Sequence, residues 1–570
     1  MSTTIAVLPE ADLKDGQMKE VAFGEGEGKV LLSRLGDKVY ATSAFCTHYG
    51  APLAKGVLAA DGRVVWRVHF HGMAVCCCPI SQLLHLREIR LACFNVCNGD
   101  IEDAPAPDAL HSFGVKITNG QIHVSADPAN TLKSNMARPP TLVDATDVSA
   151  GRGVVIVGGG SGAFHTVESL RENGYKGPIT ILTKEKHTPV DRTKLSKSLM
   201  SDVSKLEYRT ASVLKIQYAT NIRVGVTATS IDFDKKQVVL DDGKETVSYE
   251  KLVLAPGGEP RKLPIPGADA QNVFTLRGVD DAKKIDTVAK EGKRLVVIGS
   301  SFISLELVAA VAKRKLASID VIGMEEVPFE LVLGKEVGKA LQKFHESQGV
   351  KFHLQTKTDK IVTKEDDETT ATGVVVNGET LPCDLVVMAV GVAPATKFLK
   401  ESGVPTERDG GVRVDEHLKL VGYEDVFAIG DIAHYPQHPT GELRRIEHWN
   451  VAGNQGRAVG KTIAGKPQPF VKVPFFWSAQ GQNIRYCGIG QGFDDVFITG
   501  NVEEHKAGVF VAYYIKSDKV VAVASMQNDP VVSASTELLR LGIMPTLEEL
   551  RAGVDPRNID ISTANSLKDV

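Results

Sequence analysis

The sequence predicts a multidomain chain of β and α/β parts: a small N-terminal β domain, two three-layer α/β domains with one inserted in the other, and a C-terminal α+β domain. Its 570 residues leave room for about three or four domains. Short stretches of alternating polarity fill the first part of the chain, which is typical of small β-strands. Beyond residue 153, continuous apolar strands alternate with helical patterns, and this happens twice, which favours parallel sheets.

The composition excludes several classes of protein. Hydrophobic residues make up 43% and charged residues 24%, as in ordinary globular proteins. With 66 Lys and Arg against 70 Asp and Glu, the net charge of −4 predicts neither a nucleic-acid partner nor an anionic membrane partner. No apolar run is long enough to span a membrane, and the first residues lack the features of a leader. We therefore predict a cytoplasmic protein, with mitochondrial association and the oligomeric state left open.

The texture of the sequence also gives the domain boundaries. A stretch rich in turn residues and with little periodicity marks a linker. After Pro467 the sequence again has a pattern typical of β-strands and is rich in aromatic residues. The predicted segments are a β domain at 1–125 with an insert at 66–91, a linker at 126–151, a first α/β domain at 152–270 and 401–466, a second at 271–400, and a C-terminal domain at 467–570.

The first Gly-rich turn follows the apolar strand Val154–Val157 and fits the pattern G-x-G-x-x-A. Gly158 permits a tight turn, Gly160 lets the backbone approach a pyrophosphate, and the helix N-terminus that follows attracts the anion. A second strand ends near Glu185, where a carboxylate accepts a hydrogen bond from an adenosine ribose. The pattern predicts a Rossmann-like dinucleotide site, and a Gly-rich turn in some other α/β fold is the alternative. The binding residues predicted here are Gly158, Gly160, Ser161, Gly162, Ala163 and Glu185.

The second Gly-rich turn follows the strand Leu295–Ile298 and is weaker. It keeps Gly299, but Ser301 and Ser304 replace the second and third glycines of the pattern, which predicts a less permissive backbone at Ser301. A further strand leads to Glu325, and a carboxylate there favours NADH over NADPH because it would repel a 2′-phosphate. A degenerate repeat that binds nothing is the alternative.

Two nucleotide folds in tandem resemble the pyridine-nucleotide-dependent flavoprotein reductases. Three further stretches carry the resemblance, at 252–258, 388–394 and 426–431, although Pro256 departs from the more usual Thr. The resemblance implies bound FAD and NAD(H), with the carboxylate of Asp431 accepting from a ribityl hydroxyl of FAD. The glycines that match these motifs are Gly257, Gly391 and Gly430.

The branch of this family follows from one absence and one motif. No cysteine lies between Cys97 and Cys383, so the flavin has no dithiol beside it in the sequence. The stretch Asp-Arg-x-x-Leu-Ser-Lys at 191–197 instead resembles the ferredoxin-reductase-like and apoptosis-inducing-factor-like flavoproteins. The resemblance implies that Lys197 lies near the flavin and pairs with Glu306, and that Arg192 contacts the cofactor. A helix-packing salt bridge is the ordinary alternative for the Lys197 pair.

Two tryptophans also fall in stretches that match these relatives. The stretches 446–449 and 474–477 imply that Trp449 lies close to the flavin, with Trp477 as a second candidate. Packing in the core is the alternative for either ring. The residues expected to act on the flavin chemistry are therefore Lys197, Glu306 and Trp449.

The N-terminal β domain resembles a Rieske domain. Cys46 and His48 form a Cys-x-His box, and the stretches 93–95 and 99–105 resemble the sequence that follows the second box. A Rieske [2Fe–2S] cluster needs two Cys and two His. The second box, Cys-x-x-His, is absent and residues 66–91 stand in its place, so the chain as written supplies half a site.

Three explanations of this insert stay open. The insert recruits other ligands, the domain has lost its cluster, or the segment is not the true protein sequence. We favour the third, because residues 70–74 can be encoded by codons that give Pro-Trp-His-Gly in another reading frame, and codons with intron-like ends can be written at Val75 and at Leu91-Ala92. The first explanation would draw its ligands from among His69, His71, Cys76, Cys77, Cys78 and His85.

Taken together, the chain resembles a Rieske-fused, apoptosis-inducing-factor-like FAD reductase. The implied activity is transfer of electrons from NADH through FAD to an iron–sulfur or other one-electron acceptor. We expect Lys197 to keep the flavin environment cationic, and Glu306 to hold Lys197 in place. The alternative is a redox-sensing flavoprotein that acts in signalling or assembly with slow turnover.

Overall fold

The structure is a computed structural model that describes residues 2–47, 50, 52–59, 62–67, 91–103, 108–143, 152–366, 368–502, 509–559 and 561, without the side chains of 65–67, 91, 92 and 242. Two compact units divide the chain, Met1–Thr141 with Asp529–Val570 and Leu142–Asn528. No helix among the described residues is long and apolar enough to cross a membrane.

The first unit is built on two antiparallel sheets. The larger has the strand order β1-β11-β10-β4-β3-β2 and the smaller the order β5-β6-β7-β8, while β9 and β12 form a separate pair. In β11 every second side chain is buried, as an alternating sequence pattern predicts, whereas β3 buries four consecutive residues, 30–33. The strands are β1 (Thr3–Pro9), β2 (Met18–Ala22), β3 (Lys29–Leu35), β4 (Lys38–Ser43), β5 (Val57–Leu58), β6 (Arg63–Arg67), β7 (Leu91–Asn95), β8 (Ile101–Asp103), β9 (Ala109–Leu110), β10 (Ser112–Thr118), β11 (Gln121–Ala126) and β12 (Ala137–Arg138).

The second unit begins with an α/β domain. The strand β13 is Val- and Ile-rich and fully buried, and its two neighbours in the sheet are parallel to it, which places the carboxyl ends of the three strands at one edge. The elements are β13 (Gly153–Val157), α1 (Ser161–Glu172), β14 (Ile179–Thr183), α2 (Thr193–Ser198), α3 (Val203–Leu206), α4 (Ala211–Ile216), β15 (Thr220–Val224), β16 (Ala228–Asp232), β17 (Gln237–Leu240), β18 (Glu245–Leu254) and β19 (Gly258–Pro260).

A second α/β domain follows within the first. Its parallel sheet has the order β20-β27-β21-β22-β23, and α7 is broken at Gly334, where φ is 76°. The elements are β20 (Val273–Thr275), α5 (Val279–Val288), β21 (Arg294–Ile298), α6 (Phe302–Val311), β22 (Ser318–Ile322), α7 (Glu330–Ser347), β23 (Val350–His353), β24 (Thr358–Thr363), β25 (Ala371–Val376), β26 (Glu379–Pro382), β27 (Leu385–Met388) and β28 (Val392–Pro394).

The chain then returns to the first sheet. Strand β30 lies parallel to β18, so the first sheet has the order β15-β14-β13-β18-β17-β16 with β30 beside β18. This return completes the insertion of one domain in the other. The elements are α8 (Lys397–Glu401), β29 (Val412–Arg413), β30 (Val426–Ala428), β31 (Ala433–Pro436), β32 (Leu443–Arg445) and α9 (Trp449–Ile463).

The second unit ends in an antiparallel sheet of order β33-β34-β37-β36-β35. Its apolar face shares a core with the helices α6 and α7. The strands are β33 (Phe475–Gln480), β34 (Gln482–Gly488), β35 (Asp495–Asn501), β36 (Val509–Lys516) and β37 (Lys519–Met526).

The last two helices, α10 (Val531–Leu541) and α11 (Leu547–Arg551), belong to the first unit. Glu537 of α10 pairs with Arg63 of β6 at 3.2 Å, and both side chains are buried. The sequence predicted one C-terminal domain at 467–570, whereas the structure groups residues 529–570 with the N-terminal β domain. The predicted fold class, β and α/β domains with one nucleotide-type domain inserted in another, is confirmed.

Single turns of 3₁₀ helix complete the described elements. They lie at Glu10–Asp12, Leu53–Lys55, Pro128–Thr131, Lys133–Asn135, Asp241–Gly243, Ala312–Arg314, Gly430–Ile432 and Pro556–Asn558.

Candidate functional site

The first Gly-rich turn joins β13 to α1 as the sequence predicted. Gly158 has φ of 129°, and a Cβ atom there would overlap the carbonyl oxygen of Ala255, so only glycine fits. Ser161 opens α1 with a buried hydroxyl that has no hydrogen-bond partner among the described residues. A buried donor beside a helix N-terminus suits a phosphate group, so this turn fits the FAD that the sequence predicts.

Arg192 lies beside this turn, and the guanidinium of Arg277 lies next to Gly257. Arg192 donates to the carboxylate of Glu185 at 2.7 Å and to the backbone oxygen of Arg277 at 3.3 Å. Burial alone raises the pKa of the Glu185 carboxyl, but the Arg192 guanidinium outweighs it, so the pKa lies below its ordinary value. Glu185 is therefore ionised and able to accept a hydrogen bond from a ribose hydroxyl.

The second flavin motif lies at the end of β30. Gly430 has φ of 72°, and its amide donates to Gln455 Oε1 at 2.7 Å. The other amide atom of Gln455, Nε2, is buried without a partner among the described residues. Asp431 accepts from Arg277 Nη2 at 2.7 Å. The sequence analysis missed Arg277, because nothing in its neighbourhood marks it as the partner of a residue 154 positions away.

The predicted pair Lys197 and Glu306 comes together where the two α/β domains meet. Lys197, near the end of α2, places its Nζ atom 3.0 Å from Glu306 Oε2, and Glu306 lies on α6. The carboxylate also accepts from Ser196 Oγ at 2.5 Å and from Ser478 Oγ at 2.7 Å. Three donors therefore satisfy a carboxylate that is only 4% exposed.

The two tryptophans have different surroundings. The Nζ atom of Lys197 lies 4.6 Å from the centre of the Trp477 ring, a cation–π distance. Trp449 instead begins α9 and packs against the rings of Tyr208 and His165, each at 6.2 Å. The structure thus brings Trp477 to the Lys197 pair and Trp449 to an aromatic cluster against α1. A direct role for Trp449 on the flavin stays a prediction.

Further aromatic side chains, which the sequence analysis did not select, line the start of α6. The ring of Phe476 lies 4.9 Å from Phe302 and 4.7 Å from His448. Burial lowers the pKa of His448 to about 4, while Asp431 acts in the opposite direction. His448 is therefore neutral at pH 7 and places a polar ring beside the apolar side chain of Phe476.

The second Gly-rich turn has the same backbone shape as the first. Gly299 has φ of 112°, and a Cβ atom there would overlap the Ala389 carbonyl oxygen. Ser301 has φ −112° and ψ −161°, while Gly160 in the first turn has φ −111° and ψ −164°. Any residue adopts these angles, so this position of the turn does not require the backbone freedom that serine lacks.

Two serine hydroxyls make hydrogen bonds around this turn. Ser300 Oγ donates to Glu325 Oε2 at 2.9 Å and fixes the carboxylate beside the turn. Ser304 Oγ donates to the Ser301 backbone oxygen at 2.6 Å. The turn is therefore intact in shape, and Gly391, with φ of 92°, lies in the loop after β27.

The predicted metal site is described only in part. Cys46 is fully buried and its carbonyl accepts from the Gly50 amide at 2.7 Å, whereas His48 lies outside the described residues. Across the described part of the chain, no group of three or more His, Cys, Asp or Glu could hold a metal ion. Residues 68–90 also lie outside it, so the three explanations of the insert stay predictions. Cys46 is the one predicted ligand that the described residues include, and it does not make a cluster site by itself.

Comparison with known proteins gives the family of this site. The family model described as pyridine nucleotide-disulphide oxidoreductase matches residues 152–456, and that described as Rieske [2Fe-2S] domain matches residues 3–77. The chain is 37% identical to apoptosis-inducing factor 3 of Mus musculus over 93% of this chain and 83% of that protein. It is 31% identical to rhodocoxin reductase of Rhodococcus erythropolis over 70% of this chain and 92% of that protein.

A solved structure of a reductase is also similar to this chain. The ferredoxin reductase for the CYP199A2 system of Rhodopseudomonas palustris superposes with a TM-score of 0.65 and 31% identity, over 70% of this chain and 97% of that one.

Proposed function

The chain belongs to the pyridine nucleotide-disulphide oxidoreductase family and carries a Rieske domain, and we propose that it oxidises NADH in preference to NADPH and passes the electrons to an iron–sulfur protein. Membership of this family, with the reductases it resembles, makes it an FAD-dependent NAD(P)H oxidoreductase. Our proposal adds the choice of NADH over NADPH, the iron–sulfur acceptor and the roles of single residues.

The observation that carries the proposal is the Lys197–Glu306 pair between the two nucleotide domains. FAD, when bound, accepts a hydride from a nicotinamide and releases electrons one at a time. Lys197 holds a positive charge beside that site, where it favours the extra negative charge of a reduced flavin. Glu306, with its donors Ser196 and Ser478, fixes the position of that charge.

The residues of the first turn would hold the cofactor. Gly158 and Gly160 leave room for a pyrophosphate, and Ser161 contributes a buried hydroxyl. Arg192 and Arg277 supply two guanidiniums nearby, and guanidinium groups bind phosphate well. Asp431, now paired with Arg277, retains a carboxylate that can also accept from a hydroxyl group.

The preference for NADH rests on Glu325. Ser300 holds this carboxylate next to the second turn, where a ribose hydroxyl would donate to it and a 2′-phosphate would be repelled. The acceptor is argued from chemistry and from likeness. The sequence has no dithiol beside the flavin, and the chain is similar to proteins named as reductases of ferredoxin and rhodocoxin.

The test uses the purified full chain with its flavin. NADH and NADPH are added separately without oxygen, and bleaching of the flavin absorbance is followed. We expect the second-order rate constant to be at least about tenfold higher with NADH, since one unfavourable charge contact amounts to about that factor. Bleaching at equal rates with the two nucleotides would contradict the nucleotide choice.

The acceptor is tested on the reduced protein. An oxidised [2Fe–2S] ferredoxin is added, with a two-electron quinone as the comparison acceptor. We expect rapid reoxidation by the ferredoxin. Failure of the ferredoxin to reoxidise the flavin, with slow turnover and tight NADH binding, would favour the redox-sensing alternative instead.

A further inference from the structure

A chain of buried hydrogen bonds leads away from Glu306 on the side opposite Lys197. Ser478 Oγ donates to Glu306 Oε1 at 2.7 Å, and Gln480 Nε2 donates to Ser478 Oγ at 2.8 Å. Gln480 Oε1 lies 2.9 Å from His345 Nε2. The chain therefore starts on α7, crosses β33 of the C-terminal sheet and ends at the carboxylate that holds Lys197.

All the donors in this chain point in one direction. An ionised carboxylate only accepts, so the Ser478 hydroxyl must donate to it, and Gln480 then donates to Ser478. Burial lowers the pKa of His345 to about 4, so its ring is neutral and donates from Nε2 to the Gln480 oxygen. Hydrogen bonds aligned in this way polarise one another and strengthen the last link, at Glu306.

The chain is sealed from water. Gln480 and Ser478 are 0% and 1% exposed, and His345 is 1% exposed. A buried donor or acceptor that loses its partner has no water to replace it. Each link is therefore specific to its neighbours, and cutting one leaves the next without a partner.

A second feature fixes the same two elements against each other. Gly481 forms the turn between β33 and β34 with φ of 74°, and a Cβ atom there would overlap the ring of Phe344. Phe344 is the neighbour of His345 on α7. The turn thus lies against a side chain of α7, so Gln480 and His345 are brought together by this close contact of Gly481 with the Phe344 ring as well as by their hydrogen bond.

We propose that Ser478, Gln480 and His345 are positioning residues that act through Glu306 to hold Lys197 beside the flavin. This inference rests on the proposed function, because it assigns these residues a part in the reduction of the flavin by NADH. It differs from the family assignment of Lys197 and Glu306 in extending the site to the C-terminal sheet and to α7. The competing explanation is that the same bonds only satisfy polar groups buried by packing.

The test compares Ser478→Ala with Ser478→Thr in the flavin-loaded protein. Loss of a hydrogen bond to a charged group should slow flavin reduction at saturating NADH about tenfold, and Ser478→Thr, which keeps the hydroxyl, should restore the rate. We expect the dissociation constant for NADH to stay the same. The midpoint potential of the flavin should become more negative, because Lys197 would stabilise the reduced flavin less well.

Coupling to Lys197 separates positioning from packing. In a Lys197→Met background, Ser478→Ala should cause no further loss of rate and no further shift of potential.

Gln480→Leu should have the same effects as Ser478→Ala but smaller ones, and Gln342→Leu is the matched control. Gln342 lies on α7 and bonds to Glu346 at 2.8 Å, away from Glu306. If Ser478→Ala does not retain FAD, the same comparison is made at position 345. His345→Phe removes the hydrogen-bond donor to Gln480, and His345→Gln keeps a donor there.

The outcomes are distinct. If the unmodified protein is not reduced by NADH, the proposed function fails. If it is reduced and Ser478→Ala keeps the full rate and potential, only the positioning role is overturned. The same holds if Ser478→Ala lowers the rate by the same factor in the Lys197→Met background as in the unmodified protein.

Discussion

The ammonium of Lys197 has two partners of different kinds, the Glu306 carboxylate at 3.0 Å and the face of the Trp477 ring at 4.6 Å. Its side chain is 10% exposed, so little water screens the charge. Burying a charge is unfavourable unless it is paired, and here the Glu306 carboxylate supplies the opposite charge at the junction of two domains. We therefore predict that Lys197 acts through that charge and not through its packing.

Replacing this charge gives the first prediction. Lys197→Met keeps the length of the side chain, so we expect FAD to be retained and flavin reduction by NADH to slow by about tenfold to a hundredfold. Stopped-flow absorbance of the flavin measures the rate. Lys205→Met is the control, because Lys205 forms an exposed pair with Asp202. Full activity of Lys197→Met with FAD bound would mean that the pair is a packing salt bridge.

Acid stability is the second prediction at this scale. The pKa of His345 is lowered to about 4 in the folded chain, from an ordinary value near 6.5. Between these values the unfolded chain binds a proton that the folded chain does not, so stability falls as the pH drops from about 6.5 to about 4. The full effect is about 3 kcal/mol.

The His345→Gln variant removes this titration and keeps a hydrogen-bond donor. We expect the difference in Tm between pH 7 and pH 5 to be smaller in the variant than in the unmodified protein. His123→Gln, a half-exposed histidine of the first unit, controls for the loss of a histidine. An unchanged difference in Tm would show that His345 does not titrate over this range.

Among the elements, α1 and α9 approach each other unusually closely. A Cβ atom at Gly456 of α9 would overlap the carbonyl oxygen of Gly162 on α1, and one at Gly460 would lie 2.6 Å from the Cβ atom of Ser169. Small residues on the facing sides therefore set the distance between the helices. We expect this distance to affect the binding of FAD, because α9 also carries Gln455, which accepts a hydrogen bond from the Gly430 amide beside Asp431.

A single added methyl group tests this arrangement. Gly456→Ala meets backbone and not a flexible side chain, so α9 must move, and we expect a loss of about 1–3 kcal/mol in stability with weaker retention of FAD. Thermal unfolding and the flavin content after dialysis measure the two effects. Gly114→Ala is the control, since a Cβ atom there would make an ordinary contact of 3.6 Å with Ser125. Equal behaviour of the two variants would show that the helices can separate without harm.

At the scale of the whole molecule, the two ends of the chain share one compact unit. Glu537, near the C-terminus, pairs with Arg63 at 3.2 Å and with Arg540 at 2.8 Å, and its side chain is 4% exposed. One buried carboxylate thus serves two guanidiniums. The N-terminal β domain therefore depends on residues that follow the whole reductase part in the sequence.

Removing that carboxylate should affect only one unit. We expect Glu537→Ala to destabilise the first unit by about 3 kcal/mol, because it breaks a buried ion pair, and to leave flavin reduction by NADH unchanged. Limited proteolysis follows the first unit and flavin absorbance the second. Glu548→Ala, an exposed carboxylate on α11, is the control. Resistance to the protease equal to that of the control would contradict this dependence.

The visible spectrum of the purified chain gives the fifth prediction. Because the sequence lacks the second Cys-x-x-His box, we expect flavin bands alone. Broad absorption at longer wavelength from a [2Fe–2S] centre would instead mean that the insert supplies the missing ligands. Sequencing the transcript across codons 60–95 is the companion measurement, and an in-frame read identical to this chain would remove the proposed coding error.

The sequence alone determined the features that depend on local backbone chemistry. The strand, tight turn and helix at Gly158, the acid at Glu185, the second turn at Gly299 and the absence of a flavin dithiol all follow from residues that are neighbours in the chain. The pairing of Lys197 with Glu306 also came from the sequence, although only through resemblance to a family. Local patterns succeed here because a turn angle or a buried strand restricts which residues can stand at each position.

Only the tertiary structure decided what depends on contacts between distant segments. It revealed the partnership of Arg277 with Asp431, the chain from His345 to Glu306, and the return of α10 to the first unit. It also showed that Ser301 adopts the backbone angles of Gly160. These features carry no local signal, because a buried hydrogen bond or ion pair depends on which surfaces meet after folding and not on spacing along the chain.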